Sequence, residues 1–262
     1  MNTLLITSLI IFLIAIFMSM VGKGGGNFYV LVMILTGVSM HNAATTSQLI
    51  MMLSSLSSML IFHKNKRVDW KLALIIDPPT DIMAFFGGYF ASSLEATTLK
   101  LMFASVLILI SIFMFLPIKD KPLIQKKGFG RWNRHFGEYD YSVNLWAILP
   151  ITASVGFLSG AIGISGGAFK IPMMVMLCGI PMEIAVGTSS AMVAATALMG
   201  FIGHSLNGDF NPSLAIPLSF VAICGGIIGG RFALKSKPRN LKKIFATTNL
   251  IAAIIMIVNI LN

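Results

Sequence analysis

The chain has 262 residues, of which 56% are hydrophobic and 11% are charged, and its mean hydropathy is +0.87. Soluble domains carry about 25% charged residues, so this composition excludes an ordinary soluble domain and predicts a membrane protein. The net charge of +10 does not indicate a nucleic-acid partner, because the basic residues lie in short clusters between apolar stretches, as in cytoplasmic loops.

Eight apolar stretches approach the length of about 20 residues that a helix needs to cross a bilayer. In chain order they are 4–21, 42–62, 72–92, 98–117, 145–163, 185–204, 212–234 and 244–261. Two shorter apolar pieces, 27–39 and 168–181, each follow a glycine cluster. The first stretch has no basic region before it and is too long for the apolar part of a signal peptide, so we expect a retained membrane helix.

The two halves of the chain carry the same landmarks in the same order. Equivalent residues are 141 or 142 positions apart throughout, which indicates a duplicated unit. The matched pairs are Gly22 with Gly163, Gly25 with Gly166, Gly26 with Gly167, Phe28 with Phe169, Met40 with Met182, Thr46 with Thr188, Ser47 with Ser189, His63 with His204, and Gly87-Gly88 with Gly229-Gly230.

Loop charge predicts that the second half is inverted relative to the first. Loop 63–71 has four Lys and Arg residues and its counterpart 204–211 has none, whereas the basic loop of the second half is 235–243, with five. Under the positive-inside rule, 63–71, 118–143 and 235–243 all lie in the cytoplasm. This arrangement requires five segments in each half, including the short pieces after the glycines, and it places both termini outside.

The sequence therefore predicts an all-α polytopic membrane protein of about ten helical segments, built as two inverted five-segment repeats with a glycine-broken helix in each. The first repeat is 1–117, the second is 144–262, and 118–143 is a basic cytoplasmic linker. Inverted repeats with interrupted helices are typical of secondary transporters, whose substrate site lies near the midplane where the repeats meet.

The linker contains aromatic residues among its basic ones. Arg131, Trp132, Arg134 and Tyr139 could form an amphipathic piece at the membrane interface. The simpler expectation is a basic loop near anionic headgroups.

A glycine cluster interrupts the apolar run once in each half. The first does not fit a nucleotide-binding P-loop, because Lys23 precedes its glycines and no Ser or Thr follows. Such a break is tolerated in a membrane only where it is buried in protein or lines a wet cavity, and the helix after it begins with N–H groups that attract anions. We expect both breaks to bind substrate, through Lys23, Gly24, Gly25, Gly26, Asn27, Ser165, Gly166, Gly167 and Lys170. The alternative is that the glycines only allow close helix packing.

Polar residues also open the segment after each break. Thr46, Ser47 and Gln48 do so in the first half, and Thr188 and Ser189 in the second. Their side chains could donate hydrogen bonds to an oxyanion, and we include them in the predicted substrate site. They could equally cap helices or bond back to the preceding turn.

Asp77 and Asp81 are four residues apart within an apolar stretch, and so lie on one helical face. A carboxylate at this depth is costly and indicates a function, for which coupling to a proton or a sodium ion is the best candidate. Asp77 also precedes Pro78 and Pro79, a pattern typical of an N-cap followed by prolines in the first turn. We expect Asp81 to act in ion coupling and Asp77 to be a helix cap, while both remain candidates for coupling.

The Cys and His residues predict neither a cofactor nor a metal site. Cys178 and Cys224 lie in apolar segments without ligand spacing, and His63 and His204 flank loops. An intramembrane enzyme needs a nucleophile and a base at depth, and no such constellation is found in the predicted segments. We therefore expect a protein that is not an enzyme.

The paired breaks and the Thr-Ser runs resemble the TauE/SafE family, whose members export sulfite and organosulfonates. The runs are A-x-x-T-S at 43–47 and A-x-G-T-S at 185–189. The resemblance covers nearly the whole chain and is strongest over 156–205, which contains GFLSGAIGISGGAFKIP and AVGTSSAMVAATALMGFIGH. It implies export of a small anion, namely sulfite or an organosulfonate.

The resulting prediction is a carrier of the cytoplasmic membrane that exports a small anion by alternating access, with a proton gradient acting through Asp81. The alternative is a channel or an uptake carrier for another small anion or for a metal cation, in which Asp81 would bind the cation. The expected partners are the anionic substrate, a coupling proton or sodium ion and the lipid bilayer, with no nucleic acid and no cofactor.

Overall fold

A computed structural model describes residues 2–115, 129–164 and 166–237, together with seven single positions between 240 and 258. Ser165, the linker residues 118–128 and most of the predicted segment 244–261 lie outside the described residues. Within the described part, the chain forms ten helices and two strands. The helices are α1 (Asn2–Met20), α2 (Gly26–Leu35), α3 (Met40–Lys64), α4 (Trp70–Ile76), α5 (Pro78–Ala91), α6 (Ala96–Phe115), α7 (Leu145–Ile162), α8 (Gly167–Leu177), α9 (Met182–Ser205) and α10 (Pro212–Lys235), and the strands are β1 (Arg131–Phe136) and β2 (Tyr139–Asn144).

The described helices fit a chain that crosses a membrane several times. α3, α7, α9 and α10 are long and apolar enough to span a bilayer, and α2 and α8 are shorter apolar helices. Large apolar side chains such as Leu5, Leu74 and Phe220 are at least 66% exposed. A surface of this kind is unfavourable in water but is well solvated by lipid tails.

The backbone leaves the helical conformation at both glycine clusters. α1 ends at Met20 and α2 begins at Gly26, while α7 ends at Ile162 and α8 begins at Gly167. Gly22 has a φ of +68°, and a Cβ there would collide with the backbone of Val186 in α9. Only glycine satisfies both the conformation and this close approach.

The predicted segment 72–92 is divided at Asp77 into α4 and α5. Pro78 and Pro79 have no N–H to donate to the carbonyls four residues earlier, so the helical hydrogen bonds are interrupted there. Asp77 occupies the N-cap position of α5, but its side chain makes no capping hydrogen bond. The expectation that its carboxylate caps the helix is therefore wrong, because that carboxylate binds Lys170 instead.

The centre of the fold is the crossing of α3 and α9. α3 also packs against α10, and α9 packs against α5. At the periphery, α1 packs on α10 and α7 packs on α5. The contacts are symmetric between the halves: α1 corresponds to α7, α3 to α9 and α5 to α10, and each of these contacts of one helix has a counterpart for the corresponding helix. Each central helix, α3 or α9, packs mainly against helices of the other half.

The linker ends in a β-hairpin in place of the expected basic loop, so the fold is not entirely α-helical. The strands are antiparallel, and Phe136 lies opposite Tyr139. Gly137, with a φ of +60°, provides the left-handed residue that a two-residue hairpin turn requires. In β2 the three consecutive residues Tyr141, Ser142 and Val143 are all buried.

Candidate functional site

Four side chains form a largely buried group between the two halves, which we name the polar cluster. The Lys170 ammonium of α8 forms an ion pair with the carboxylate of Asp77, at the junction of α4 and α5. It also donates to Thr196 Oγ1 of α9 at 2.7 Å. The Thr196 hydroxyl lies 2.8 Å from Oδ1 of the partly buried Asp81 of α5 and 2.9 Å from the Met192 carbonyl, and with a single proton it donates to one of the two at a time. Lys170 is 1% exposed and Asp77 is 3% exposed. The two predicted coupling residues and one predicted substrate residue are thus brought together.

The polar cluster has more acidic than basic groups. When all are ionised, the one ammonium of Lys170 faces two carboxylates, which leaves one excess negative charge. An uncompensated buried charge is costly, so the cluster favours the uptake of a proton or another cation. An anion that binds Lys170 must also compete with the Asp77 carboxylate, and it does so most readily when that carboxylate is neutralised. The arrangement can therefore link anion binding to cation binding.

Hydroxyl groups from the opposite half hold each glycine break. Ser189 Oγ donates to the Gly22 carbonyl at 2.9 Å, and Ser47 Oγ donates to the Gly163 carbonyl at 3.0 Å. Ser47 Oγ is also 3.0 Å from the Gly26 carbonyl and, with a single proton, serves one of the two carbonyls at a time. These serines satisfy carbonyls that a lipid environment cannot satisfy.

The other polar residues after the breaks differ in their bonding. Thr188 Oγ1 accepts the N–H of Asp69 at 3.0 Å, and Gln48 Nε2 donates to the Ser159 carbonyl at 3.0 Å. In the described part of the chain, Thr46 Oγ1 and Gln48 Oε1 have no hydrogen-bond partner, although both side chains are fully buried. Buried polar atoms without a partner often mark the position of a ligand or a water molecule.

The first glycine break contains a fully buried lysine, Lys23. The carbonyl of Gly24 accepts a hydrogen bond from Ser54 Oγ at 3.2 Å, and Gly25 precedes α2 with a φ of +87°. Neither polar atom of the buried Asn27 amide has a partner among the described residues. The break therefore places a cation and an unpaired amide close together in the sequence, which are groups that an anion site uses.

The second glycine break uses its two described glycines differently. Gly166 is the N-cap of α8 and Gly167 is its first residue. A Cβ on Gly167 would stand 2.8 Å from Val193 and 2.9 Å from the Gly22 carbonyl oxygen, so this glycine is needed for close packing. The packing interpretation therefore holds for Gly167, whereas Gly166 faces Lys170.

Asp69 joins the loop before α4 to the hairpin and to α9. Its carboxylate is fully buried and accepts hydrogen bonds from Arg134 Nε at 2.9 Å, from Arg134 Nη2 at 3.1 Å and from the Tyr141 hydroxyl. Burial raises the pKa of Asp69, but the hydrogen bonds from Arg134 and Tyr141 outweigh burial, and the pKa of that carboxyl lies below its usual value. Sequence reasoning used the charges of this region only for topology and did not predict this network.

Glu183, in the first turn of α9, makes a second connection to the hairpin. It forms an ion pair with Arg67 at 3.1 Å and accepts a hydrogen bond from the Tyr139 hydroxyl at 2.6 Å. Residues of the first half, the hairpin and the second half are thus tied together at this end of α9.

The histidines do not form a metal site in the described part of the chain, where no group of three or more His, Cys, Asp and Glu residues is placed to hold a metal ion. His204 is fully buried, and its Nε2 lies 2.8 Å from the Gly160 carbonyl. His204 is the next-to-last residue of α9, which ends at Ser205, so it flanks the following loop as expected while its side chain is packed inside the protein.

Thr196 is the member of the polar cluster that sequence reasoning missed. It lies eight residues after Thr188, about two helical turns along the buried side of α9. That spacing is the one available signal, and it does not separate a packed threonine from a functional one.

Comparison with known proteins identifies relatives along almost the whole chain. The family described as Sulfite exporter TauE/SafE matches residues 7–256. The Bacillus subtilis protein named "Probable membrane transporter protein YunE" is 30% identical over 234 residues, which cover 85% of this chain and 86% of the relative. "Probable membrane transporter protein YdhB" of the same organism is 27% identical over 257 residues, with 95% and 98% covered.

A more distant relative is the archaeal "Probable membrane transporter protein MJ0441" of Methanocaldococcus jannaschii. It is 24% identical over 250 residues, which cover 88% of this chain and 86% of the relative. No solved structure matches the chain.

Proposed function

The chain belongs to the TauE/SafE family of membrane transporters, and from this premise we propose that it exports a small anion, sulfite or an organosulfonate, across the cytoplasmic membrane. The family assignment makes the protein a multi-pass membrane transporter and not an enzyme, as the sequence predicted. The substrate, the direction of transport, its drive and alternating access are parts of the proposal.

The buried ion pair between Lys170 and Asp77 is the observation that carries this proposal. An oxyanion presents the same kind of oxygen to an ammonium as a carboxylate does, so it can replace Asp77 as the partner of Lys170. When the anion leaves, the carboxylate returns to the lysine and no unpaired cation stays buried. An empty carrier with its charge paired in this way can change conformation at low cost.

Proton coupling follows from the same exchange of partners. Replacing Asp77 at Lys170 leaves two carboxylates near a bound anion, and their repulsion favours the uptake of a proton by the pair Asp77 and Asp81. We propose that this uptake links anion binding to proton binding, with Thr196 joining Asp81 to the lysine.

Transport by alternating access fits a duplicated unit, which we propose to be two inverted repeats, 1–117 and 144–262, joined by the linker 118–143. Gly87 packs on the Phe157 carbonyl, and Gly229 packs on the Ile16 carbonyl. Gly87 is the equivalent of Gly229, and Ile16 is the equivalent of Phe157, so the same contact occurs in both halves. Both termini then lie outside. Reporter fusions after Ser205 and after Ser236 are expected on opposite sides of the membrane, and reporters on the same side would refute the inversion.

We propose that the substrate pathway runs through both breaks. Lys170 and the first turn of α8 bind the anion, and the first break contributes Lys23 and Asn27. Thr46, Gln48 and Thr188 supply further polar atoms, while Ser47 and Ser189 hold the backbone of the breaks.

Liposome transport tests the proposal directly. Purified protein in liposomes loaded with sulfite should release it, and Lys170→Met should abolish release when equal amounts of folded, inserted protein are compared. Lys235→Met, which removes an exposed lysine at the end of α10, is the control and should transport normally. Full activity of Lys170→Met would remove the lysine from the site and with it the main support for anion transport.

A second candidate function is suggested by the oxygen atoms of the polar cluster. The carboxylates of Asp77 and Asp81 and the Thr196 hydroxyl are ligands suited to a hard cation, so a channel or an uptake carrier for a metal cation is the alternative. Asp81→Asn should abolish cation binding in that case. If the protein carries an anion, anion binding should survive this substitution.

A further inference from the structure

The residue just before α8, Gly166, lies against two polar side chains. A Cβ placed on Gly166 would lie 3.6 Å from Lys170 Nζ and 3.6 Å from Ser159 Oγ, with Lys170 Cε at 3.3 Å. The first two distances are ordinary contacts, and the third involves only the flexible end of the lysine. Gly166 therefore stands between an ammonium group, a hydroxyl group and the N-terminus of α8.

The Ser159 side chain makes no hydrogen bond within the part of the chain that the structure describes. It is 1% exposed. The backbone at this point of α7 is held by Gln48 Nε2, which donates to the Ser159 carbonyl at 3.0 Å. A buried hydroxyl without a partner is disfavoured unless a ligand or a water molecule completes it.

Lys170 has donor capacity beyond the bonds described for it. An ammonium group carries three N–H donors. Among the described residues, two of them go to Asp77 and Thr196. The N-terminus of α8, a helix of 11 residues, adds a partial positive charge next to Gly166.

The equivalent position of the first half has a different conformation and different neighbours. Gly25 is the equivalent of Gly166, but its φ is +87° whereas that of Gly166 is −57°. A Cβ on Gly25 would meet the Tyr29 ring at 2.8 Å, the Tyr29 hydroxyl at 3.0 Å and Met18 Cβ at 3.1 Å. Tyr29 and Met18 stand 141 positions before Lys170 and Ser159, so the pairing of an ammonium with a serine hydroxyl beside the glycine is particular to the second half.

We propose that Ser159 is a substrate-binding residue, and that its hydroxyl and the Lys170 ammonium hold one oxygen of a small oxyanion beside Gly166, with the flexible end of Lys170 moving to admit it. This inference rests on the proposed anion transport and assigns its binding position to the second half of the chain. A hydroxyl donor suits an oxygen that carries negative charge. Gly166 is required there because any side chain would occupy the place of the ligand oxygen.

Binding of sulfite to the purified full-length protein tests the subsite. Ser159→Ala removes one hydrogen bond to a charged ligand, and we expect the Kd for sulfite to rise about tenfold or more. The midpoint of thermal unfolding without ligand should not fall, because the hydroxyl has no partner to lose. Ser142→Ala is the matched control: its hydroxyl is also buried and unpartnered among the described residues, but it lies in β2, and the Kd should stay at the wild-type value.

Gly166→Ala gives an independent test of this subsite. The added methyl group meets the flexible end of Lys170 at 3.3 Å, so we expect a folded protein that no longer binds sulfite saturably. If the wild-type protein binds sulfite and both Ser159→Ala and Gly166→Ala bind it with the wild-type Kd, the subsite is refuted. The proposal of anion transport is not affected by that result. A wild-type protein that neither binds nor transports sulfite, sulfate or a sulfonate would overturn the proposed function itself, and the subsite with it.

Discussion

Ser47 and Ser189 make the same hydrogen bond in opposite halves of the protein. Ser189 Oγ donates to the carbonyl of Gly22, and Ser47 Oγ donates to the carbonyl of Gly163, the residue equivalent to Gly22. Each serine lies on a central helix, α3 or α9, and each glycine lies in the break of the other half. The two breaks are therefore held by one reciprocal contact across the centre of the fold.

This contact predicts that Ser189→Ala destabilises the protein. The substitution leaves the buried Gly22 carbonyl without the hydroxyl that it accepts from, which costs about 1–3 kcal/mol and lowers the midpoint of thermal unfolding in detergent. Ser190→Ala is the control, because Ser190 Oγ bonds to the carbonyl of Val186 in its own helix, where that carbonyl also accepts the helical N–H. Equal midpoints for Ser189→Ala and Ser190→Ala would show that the hydrogen bond from Ser189 to the Gly22 carbonyl does not stabilise the fold.

The sequence predicted the residues of this contact but not the contact itself. The 141-residue spacing placed Ser47 with Ser189 and Gly22 with Gly163 as equivalent pairs. A repeat identifies which residues correspond, whereas the partner of each residue depends on how α3 and α9 cross. That crossing is a property of the packed halves and leaves no local pattern in the chain.

In the polar cluster, too, the sequence identified single residues but not their contacts. Depth along the segments singled out Asp77, Asp81 and Lys170 one by one, because a charge in lipid is unusual wherever it occurs. Lys170 and Asp77 are 93 positions apart, and only the packing of α8 and α5 against the same helix, α9, brings them together. Thr196 could not be predicted, since a buried threonine on an apolar helix is common.

A double-mutant cycle should reveal strong coupling between Lys170 and Asp77. Breaking a buried ion pair costs about 3–5 kcal/mol, because the remaining charge has no compensation. Lys170→Met combined with Asp77→Asn should therefore be less destabilising than the sum of the two single substitutions, as measured by denaturant or thermal unfolding. Transport should not recover in the double variant, because the cation for the substrate is missing.

The exposed pair of His135 and Asp140 in the hairpin is the reference for this cycle. Their side chains are 72% and 56% exposed, so water screens their interaction and the coupling should be small. Additive effects of the Lys170 and Asp77 substitutions would show that the pair does not hold the cluster together.

Close glycine contacts predict different effects for two neighbouring residues of α10. A methyl group on Gly229 would collide with the carbonyl oxygen of Ile16 in α1, and α1 and α10 would have to separate. We expect Gly229→Ala to cost about 1–3 kcal/mol, as overpacking does elsewhere. Gly230→Ala should cost less, because its nearest neighbours are Ile61 Cβ and Ser58 Cα, both at 3.3 Å. The two variants are compared by their thermal midpoints, and a lower midpoint for Gly230→Ala would contradict this packing.

The hairpin is the element that the sequence analysis predicted least well. Its strands have six residues each, and the basic and aromatic side chains of β1 are those expected of a loop near headgroups. The burial of Tyr141, Ser142 and Val143 can be recognised in YDYSVN only when the surface that covers them is known. Asp69 provides part of that surface from a loop 72 positions earlier than Tyr141.

Asp69 gives the fold a stabilising interaction that depends on pH. The folded-state pKa of Asp69 lies below its usual value of about 3.9, so its contribution to stability is complete above that pH and is lost as the pH falls through the folded-state pKa. Arg134→Gln removes the bidentate partner at 2.9 and 3.1 Å, and it should lower the midpoint of thermal unfolding at pH 7. The difference between the wild type and this variant should shrink below about pH 4, because a protonated Asp69 no longer attracts Arg134.

The matched control for this pH dependence is Arg131→Gln, which removes the same charge at the start of β1. Any effect of that substitution should remain constant from pH 7 to below about pH 4, since a general loss of positive charge does not depend on Asp69. A gap between the wild type and Arg134→Gln that stayed the same or widened on acidification would show that Arg134 acts through its packing between Trp132 and Phe136, whose ring centroids lie 5.9 and 5.8 Å from its guanidinium carbon. A gap that closes on acidification assigns the stabilisation to the buried carboxylate that joins the hairpin to the rest of the protein.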